Sequence, residues 1–447
     1  MFAEPINSQV SLLALHQQHP ERYPFLLEST SGAHAQGCFD ILFGFPGESL
    51  QLQDGRLSRA WIRDTQSENQ DFLQALDHWF EQDQQTTPNP HKLPFLGGWF
   101  FYLGYELAGQ VEPCLQLPPA RSILPTAMAV RCPAAVIRNR ANGALYLVAE
   151  SEELLQQLQI DLQDCQPLVT KTLPKVHITE DDPQRYLEQI DAVQKYIRSG
   201  DVFQVNLSRE WQGHLAKPTP SSELYASLRA SNPAPFSGLM CWQGSAVISS
   251  SPERLLRLQD GYAQTRPIAG TRPRTGGDAA MTKELLAHPK ERAEHVMLID
   301  LERNDLGRIC EYGSVQVDEL MTAESYAQVH HIVSNIRGKV RVGVGSGAAL
   351  RAVFPGGTIT GCPKVRCMQI IAELEGQGRG AYTGAMGYLG LDGRLDSNIL
   401  IRTLVQHQQD LWLRAGGGIV SDSVPANELD ETRVKARAVL MSLGAAL

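Results

Sequence analysis

A glycine-rich segment that runs into a helix places the strongest constraint on how this chain can fold. Residues 354–366 contain three glycines, two threonines and a late proline. Pro363 suits the first position of a helix, where a backbone N–H has no intrahelical partner. The amides of Gly356, Gly357 and Gly361 and the helix N-terminus could then face a negatively charged group. The segment therefore predicts a site for a carboxylate or a phosphate.

The segment does not match a nucleotide-binding P-loop. That motif places a lysine directly after its second glycine, whereas Gly361 is followed by Cys362 and Pro363. A second glycine cluster, at residues 343–347, fails the dinucleotide-binding fingerprint because Ala348 stands where the third glycine is required. The sequence therefore argues against ATP, GTP and dinucleotides as ligands.

The composition is typical of a soluble globular enzyme. Of the 447 residues, 43% are apolar and 20% are charged, which suffices for a sizeable core. The net charge of −9, with no run of Lys and Arg, argues against nucleic acid as a partner, while a small anionic substrate needs only a few local cations. No window approaches the ~18 apolar residues of a membrane span. We expect a cytoplasmic protein that does not contact a membrane.

The sequence divides into two regions near residues 171–183. Residues 1–170 mix short β-rich pieces with Gln- and Asp-rich segments, and the junction is polar and punctuated by proline. From residue 180 to residue 447, strand-like runs alternate with helical ones. We assign 1–170 as an N-terminal region and 180–447 as a second domain, with a mixed α/β architecture of the α+β type.

Helical and strand-like patterns are clear in the second region. Tyr186, Ile190, Val193 and Ile197 recur at helical spacing, and Gly200 is suited to end that helix. Further helices are predicted over 282–301, 363–374 and 427–443, and strands over 202–207, 246–250, 384–389 and 411–415.

Two of these helices carry glutamates on one face. Glu428, Glu431 and Lys435 share a face of the last helix, and Glu291 and Glu294 share a face of an earlier one. Two acidic faces near an anion-binding segment would suit Mg²⁺, which takes a few carboxylates together with water and an anionic ligand. The alternative interpretation is a solvated surface, because charged helix faces usually contact water.

Eight motifs, in order, resemble those of the chorismate-utilising enzymes, and together they cover essentially all of residues 180–447. The resemblance implies a two-layer α+β sandwich of large antiparallel sheets flanked by helices, with the active site between the layers. It also makes 180–447 the catalytic domain. The motifs are residues 200–208, 250–254, 266–274, 300–305, 330–334, 354–366, 396–403 and 415–420.

The resemblance implies how the substrate, chorismate, would be bound. Glu294 and Glu431 correspond to the ligands of a Mg²⁺ ion that also binds a substrate carboxylate. The second carboxylate would be held by charge and by backbone amides. The residues that correspond to this second group are Arg402, Gly417, Gly418 and Lys435.

The resemblance also assigns residues to the chemical step. Glu253 corresponds to the acid that protonates the departing 4-hydroxyl, which requires a tuned pKa. Thr358 and Tyr388 are expected to line the substrate ring. His331, which follows His330, corresponds to an active-site histidine that would handle protons.

Two positions distinguish the branches of the family. Isochorismate and salicylate synthases carry a water-activating lysine where this chain has Gln204, and a neutral amide cannot act as that base, so ammonia is the expected nucleophile. Many aminodeoxychorismate synthases carry a lysine at the position of Ala269 in this chain. Anthranilate synthases resemble this chain in having alanine there, and alanine cannot form an adduct with the ring. Residues 205–208, 235–237 and 356–360 nevertheless resemble the aminodeoxychorismate branch. We expect that activity, with anthranilate synthesis as the alternative.

The remaining expectations concern partners. Leu27, Glu28 and Ser29 resemble the element with which anthranilate synthases bind tryptophan; the alternative is an edge strand on which Glu28 and Ser29 face solvent or cap a turn. No Cys-His-Glu arrangement of an amidotransferase is evident, so ammonia would come from a separate glutamine amidotransferase subunit. A catalytically silent tryptophan-binding or scaffold relative is disfavoured, because every matched acidic and basic position is present.

Overall fold

The fold is built on two large antiparallel sheets that face each other. The computed structural model describes residues 1–30, 38–60, 71–121, 123–273, 289–325 and 329–444. Over these residues the first sheet has twelve strands and the second has eleven. The predicted two-layer sandwich of antiparallel sheets is confirmed.

The strand order mixes early and late parts of the chain. Across the first sheet the order is Phe2–Ile6, Leu145–Ala149, Ala134–Asn139, Phe39–Gly44, Phe25–Glu28, Phe236–Trp242, Ser245–Ser251, Thr403–His407, Asp410–Ile419, Gln204–Leu215 and Val176–Glu180, with Gly361–Cys362 paired to Gln204–Leu215. Across the second sheet it is Ile268–Pro273, Val329–Lys339, Tyr262–Arg266, Arg254–Gln259, Leu395–Ile399, Ala385–Gly390, Gly98–Leu103, Ala127–Cys132, Ser49–Gln53 and Arg56–Ala60, with Gln316–Ser325 paired to Val329–Lys339.

Helices cover the outer faces of the sheets. Within the described ranges none of them combines the length and the apolar character that crossing a membrane requires. The α-helices are Leu12–Gln18, Phe72–Asp83, Ala108–Val111, Glu152–Gln163, Pro183–Arg198, Ser221–Ser231, Pro289–Gly307, Ser346–Val353, Lys364–Glu375 and Pro425–Ser442, and short 3-10 turns lie at Tyr105–Leu107 and Gly357–Ile359.

An aromatic core fills the space between the sheets. Phe25 of the first sheet stacks on Phe100 of the second, with ring centroids 4.2 Å apart and planes 5° from parallel. Phe43 packs edge-to-face on Phe100 and on Phe95. Each fully buried aromatic side chain of this kind contributes about 1.5–3 kcal/mol. This core fixes the spacing of the two sheets and therefore the depth of any site between them.

The two sequence regions share both sheets. Phe25–Glu28 pairs with Phe236–Trp242 in the first sheet, and Gly98–Leu103 pairs with Ala385–Gly390 in the second. The polar junction at residues 171–183 contains the strand Val176–Glu180, which lies at the edge of the first sheet. Strands from both sides of the junction thus build each layer.

The predicted helices agree with the structure except near their ends. The helix expected to end at Gly200 is Pro183–Arg198, and Gly200 has φ +83°, which glycine adopts readily. The helix expected over 282–301 is Pro289–Gly307, and residues 282–288 lie outside the described part of the chain.

Pro363 is not the first helical residue. The helix begins at Lys364, and Pro363 precedes it in an extended conformation with ψ 137°. The reason is that Gly361 and Cys362 pair with Gln204–Leu215 as a short strand, so the chain enters the helix from extended backbone. The segment 415–419 is the end of the strand Asp410–Ile419, which is longer than the strand predicted over 411–415.

Candidate active site

The site begins at the first residue of the long strand Gln204–Leu215. Gln204 is 4% exposed, and its Nε2 donates a 2.9 Å hydrogen bond to Glu294 Oε1. A Cβ placed on Gly418 would lie 1.9 Å from Gln204 Nε2, so only glycine at 418 lets this side chain pass. Gln204 Oε1 is buried and has no hydrogen-bond partner among the described residues. A buried acceptor left in this state is suited to a ligand.

Acidic side chains from two helices meet beside Gln204. Burial raises the pKa of Glu294, the Gln204 hydrogen bond lowers it, and the negative charges of Glu291 and Glu431 raise it. A Cβ on Gly417 would lie 3.7 Å from Glu431 Oε1 and 3.8 Å from Lys435 Nζ. The structure therefore brings the two predicted acidic faces to one place, next to the glycines of residues 416–418.

Lys435 is held by neighbours on both sides. Its Nζ donates to Glu431 Oε1 at 2.7 Å and to the carbonyl of Gly416 at 2.9 Å. The side chains of Glu431 and Lys435 are 52% and 42% exposed, so both reach water. Lys435 is thus placed where a substrate carboxylate could replace its carboxylate partner.

The acidic residues fit a Mg²⁺ ion. Within the described ranges, no three His, Cys, Asp or Glu side chains form a ready-made metal cluster. Mg²⁺ does not need one, because it commonly binds through one or two carboxylates, water and an anionic substrate. The repulsion between Glu294, Glu291 and Glu431, which raises the pKa of Glu294, is what a divalent cation would relieve.

A second group of residues surrounds Glu253. This side chain is 5% exposed, and burial raises its pKa to about 7, although the Thr358 side chain, the Ile268 N–H and the charge of Arg402 lower it. An acid with this pKa is protonated in a large fraction of molecules at neutral pH. Glu253 can therefore donate a proton to a leaving group.

Arg402 presents a half-buried positive charge. Burial lowers the pKa of its guanidinium, and Glu253 is the acid in the described part of the chain whose charge offsets this effect. Its backbone has φ +51°, a left-handed conformation that is uncommon for arginine. Such strain is often found at functional sites. An incompletely compensated guanidinium suits a carboxylate ligand.

Asn206 links the two groups. It lies two residues after Gln204, so both side chains are on one face of the strand. Asn206 Nδ2 donates to the carbonyl of Thr358 at 3.4 Å, and its buried Oδ1 has no hydrogen-bond partner among the described residues. The acidic cluster at Glu294 and the Glu253 group therefore border one site. Sequence reasoning missed Asn206, although its period-two spacing from Gln204 could have indicated it.

The glycine-rich segment shapes the wall of this site. Gly357–Ile359 forms a 3-10 turn that carries Thr358 beside Glu253. Gly361 has φ +130°, and a Cβ there would lie 2.1 Å from the carbonyl oxygen of Gln204. Glycine at 361 thus allows close approach to a strand, a role different from the predicted one of presenting an amide to an anion.

Ala269 and His331 lie on neighbouring strands of the second sheet. Ala269 is 6% exposed and pairs with Ile332, and the preceding residue, Ile268, approaches Glu253 through its N–H. His331 is 2% exposed. The position of Ala269 is thus close to the Glu253 group, while the side chain of His330 lies outside the described residues.

The structure places Tyr388 in a different cavity from the one predicted. Its ring packs on Phe95 with centroids 5.9 Å apart, and it lines a cavity of about 190 Å³ with Leu27 and Glu28. The expectation that it lines the substrate ring beside Thr358 is therefore not supported. Strand Ala385–Gly390 is buried on both faces, so its sequence could not show which side Tyr388 occupies.

Leu27, Glu28 and Ser29 do not belong to an edge strand. Phe25–Glu28 lies between two other strands, and Glu28 and Ser29 are 6% and 1% exposed. Glu28 accepts hydrogen bonds from Arg229 at 2.9 and 3.0 Å and from the Tyr225 hydroxyl at 2.9 Å. The alternative in which these two side chains face solvent is wrong, because the strand pairs on both sides.

Glu302 is a buried acid that sequence reasoning did not single out. It is 6% exposed, and a Cβ on Gly357 would lie 3.5 Å from its Oε1. Burial raises its pKa to about 8, the charge of Asp305 raises it and the charge of Lys364 lowers it. It lies within the motif at residues 300–305, but its place beside the Glu253 group depends on how the helix Pro289–Gly307 packs.

Comparisons with known proteins show which enzymes the chain resembles. The chain is 40% identical over 370 residues to the anthranilate synthase component I-like protein of Synechocystis sp., covering 81% of this chain and 76% of that protein. It is 36% identical over 437 residues to aminodeoxychorismate synthase component 1 of Klebsiella aerogenes, covering 94% of each.

A solved structure has a similar fold. Anthranilate synthase component I of Streptococcus pneumoniae superposes with a TM-score of 0.81 at 30% identity, over 91% of this chain and 93% of that one. The sequence profile of the chorismate binding enzymes matches residues 23–441. This chain therefore belongs to the chorismate binding enzyme family.

Proposed function

We propose that the chain is component I of an aminodeoxychorismate synthase. In this reaction ammonia replaces the 4-hydroxyl of chorismate, which leaves as water, and gives 4-amino-4-deoxychorismate. The observation that carries the proposal is Gln204, a neutral side chain that faces the site with a carbonyl oxygen to which no described residue donates a hydrogen bond. A hydroxylating relative would need a base there to activate water, whereas ammonia needs none.

The binding roles follow from charge. Glu294 and Glu431 would hold Mg²⁺, which when bound supplies positive charge to one substrate carboxylate. Arg402 and Lys435 offer cations for the second carboxylate, assisted by the backbone of Gly417 and Gly418. Arg402 gains most from such a ligand, because its partial removal from water lowers the pKa of its guanidinium.

Glu253 supplies the proton in the chemical step. The bond between ring carbon 4 and the hydroxyl oxygen breaks while Glu253 transfers its proton to that oxygen, so that water leaves. Its pKa of about 7 matches this task. Ala269 offers no nucleophile, so the ring is attacked by ammonia, directly or with the help of a small nucleophile, and no adduct forms at residue 269.

We also propose a partner and a place in metabolism. The name "component 1" of several relatives is consistent with a two-subunit enzyme. We infer a separate glutamine amidotransferase that delivers ammonia to this chain. Its product would then be converted by a lyase to 4-aminobenzoate, in the pathway to folate.

Anthranilate synthesis is the second candidate, because relatives of that name match the chain at similar identity. The Acinetobacter calcoaceticus anthranilate synthase component 1 is 37% identical over 473 residues. Ala269 also favours this candidate. In that reaction amination is followed by loss of pyruvate and aromatisation. Residues 205–208, 235–237 and 356–360 carry the preference for aminodeoxychorismate.

A product assay tests the choice. The purified chain is incubated with chorismate, Mg²⁺ and an ammonium salt, and products are identified by mass and fluorescence. We expect a product that keeps its enolpyruvyl group and that gives 4-aminobenzoate only after a lyase is added. Fluorescent anthranilate with stoichiometric pyruvate would assign the chain to the second candidate. No conversion of chorismate would indicate a catalytically silent relative.

We further propose that the cavity beside Leu27 and Glu28 holds tryptophan. It combines apolar walls that include Tyr388 with polar groups of Glu28 and Ser237. The buried Ser29 Oγ nearby has no hydrogen-bond partner in the described part of the chain. Calorimetric titration with tryptophan should show one site, weakened at least about tenfold in Tyr388→Ala. Unchanged binding in that variant would place tryptophan elsewhere.

A further inference from the structure

A second and larger cavity lies between the sheets, further along the same strand that begins the candidate active site. Its volume is about 440 Å³. Glu210 of Gln204–Leu215 and Trp412 and Arg414 of Asp410–Ile419 form its wall in the first sheet, and Tyr102 of the second sheet lies opposite. Since a strand rises about 3.3 Å per residue, Glu210 is about 20 Å from Gln204. We call this cavity the rear chamber.

A charged partition separates the rear chamber from the active site. We define it as Ser208, Glu375, Arg379 and Arg414. Glu375 accepts hydrogen bonds from Ser208 Oγ at 2.8 Å, from Arg379 Nη2 at 2.6 Å and from Arg414 Nη2 at 2.8 Å. These hydrogen bonds join the four side chains into a continuous wall between the chamber and the active site.

The walls of the rear chamber combine apolar surface with charged groups of both signs. Its apolar side is formed by Leu115, Leu117, Tyr382 and Trp412, together with several prolines of residues 118–125. Three arginines, at 121, 379 and 414, line it together with three acids, the buried or half-buried Glu106 and Glu210 and the exposed Asp54.

The negative charges of the chamber are largely compensated. Arg121 binds both oxygens of Glu210, at 2.7 and 2.9 Å. Burial raises the pKa of Glu106 to about 7, so its charge is partly absent at neutral pH. Arg414 Nη1 lies 3.9 Å from Glu210 Oε2 and, among the described residues, has no hydrogen-bond acceptor. An anion in the chamber could therefore accept a hydrogen bond from this buried donor.

We propose that the rear chamber binds a small organic carboxylate with an aromatic or branched apolar body. The apolar body would pack between Trp412 and Leu117, and the carboxylate would approach the arginines at 121 and 414. Ligand pockets of about 300–1,000 Å³ that are mainly apolar, with a few convergent polar groups, are typical small-molecule sites.

A ligand in this chamber would contact the back of the active site. Arg379 Nη2 donates to the carbonyl of Asn206 at 2.7 Å, and its Nη1 donates to the carbonyl of Ile359 at 3.1 Å. Asn206 and the Gly357–Ile359 turn both border the active site. The same arginine thus faces the chamber on one side and holds two active-site segments on the other.

The experiment uses benzoate as the probe and benzamide as its neutral counterpart, titrated calorimetrically into the full chain. Benzoate should bind at one site with a Kd below about 1 mM, and benzamide should bind at least about tenfold more weakly. Leu117→Trp, which fills the chamber, should weaken benzoate at least about tenfold. Arg402→Gln, in the active site, should leave benzoate binding unchanged.

Three results would overturn the proposal. The first is no saturable benzoate binding up to about 10 mM. The second is loss of binding in Arg402→Gln with retention in Leu117→Trp, which would place the probe in the active site. The third is equal binding of benzoate and benzamide, which would remove the role of the arginines. If Leu117→Trp does not fold, Val405→Phe fills the same chamber and takes its place.

Discussion

Two parts of the strand Gln204–Leu215, one at Gln204 and Asn206 and the other at Ser208, differ in whether the buried polar groups around them are paired. At the partition, Glu375 is 3% exposed; burial raises its pKa, but Arg379, Arg414 and Ser208 together hold it below the usual value. Near Gln204, the acceptor oxygens of Gln204 and Asn206 are buried and have no hydrogen-bond partner within the described ranges. The contrast separates a carboxylate whose partners are supplied by the chain itself from acceptor oxygens that are left for a ligand.

The largest effect should come from Glu431 on the ligand side of this comparison. Glu431→Gln removes a charged ligand and should lower kcat/KM by about 10³-fold or more, in line with the several kcal/mol that a metal contributes. The measurement is kcat/KM as a function of Mg²⁺ concentration. Asp430→Asn, on the same helix but with a side chain that is 72% exposed, is the matched control and should retain activity within about tenfold. Full activity of Glu431→Gln, or of wild type in excess chelator, would contradict the assignment.

The next effect concerns the proton donor. Glu253→Gln keeps the shape of the side chain and removes its proton, so turnover should fall by about 10²–10⁴-fold. Circular dichroism checks that the variant folds. Normal turnover in this variant would mean that another group protonates the leaving hydroxyl.

The partition should respond in stability. Glu375→Gln leaves the buried Arg379 and Arg414 without their shared negative charge and should lower the free energy of unfolding by about 3–5 kcal/mol. Denaturant unfolding measures this difference. Glu373→Gln, two residues earlier and exposed on the same helix, should change it by less than about 0.5 kcal/mol. Equal stability of the two variants would contradict a structural role for the partition.

The smallest effect is a pH dependence. Since the pKa of Glu253 is raised to about 7, the protonated acid is present below that pH and is lost above it. At a fixed concentration of un-ionised ammonia, kcat/KM should therefore fall about tenfold per pH unit above pH 7. The same raised pKa means that Glu253 favours folding below its unfolded value of 4.5 and that this contribution is lost as pH rises to about 7. A flat activity profile from pH 6 to 9 would exclude Glu253 as the acid.

Local patterns in the sequence indicated which acidic side chains share a helix face. The spacing of Glu291 with Glu294, and of Glu428 with Glu431 and Lys435, indicated two helix faces, and the structure brings them together at Gly417. The two-layer sandwich followed from the resemblance of ordered motifs.

Features that depend on the packing of distant segments were not predictable. The partition joins the strand of Ser208, the helix that ends at Glu375 and the strand of Arg414, which no local pattern connects. The sequence could not predict which face of the sheet Tyr388 occupies, because residues 385–390 are buried on both faces and show no polar alternation. The sequence predicts an anion contact at Gly361, but glycine is required there because the backbone of Gln204 lies so close.

The sharing of both sheets by early and late segments has a consequence for synthesis. When Phe25–Glu28 leaves the ribosome, its partner strand Phe236–Trp242 is still about two hundred residues from being made. The emerging chain must therefore keep apolar strands such as Gly98–Leu103 unpaired on one side until Ala385–Gly390 arrives. Pairings at such long sequence separation are slow to form, and they make the chain depend on protection from aggregation while it grows. For the same reason, neither residues 1–170 nor residues 180–447 can be expressed alone without exposing the interior of two sheets.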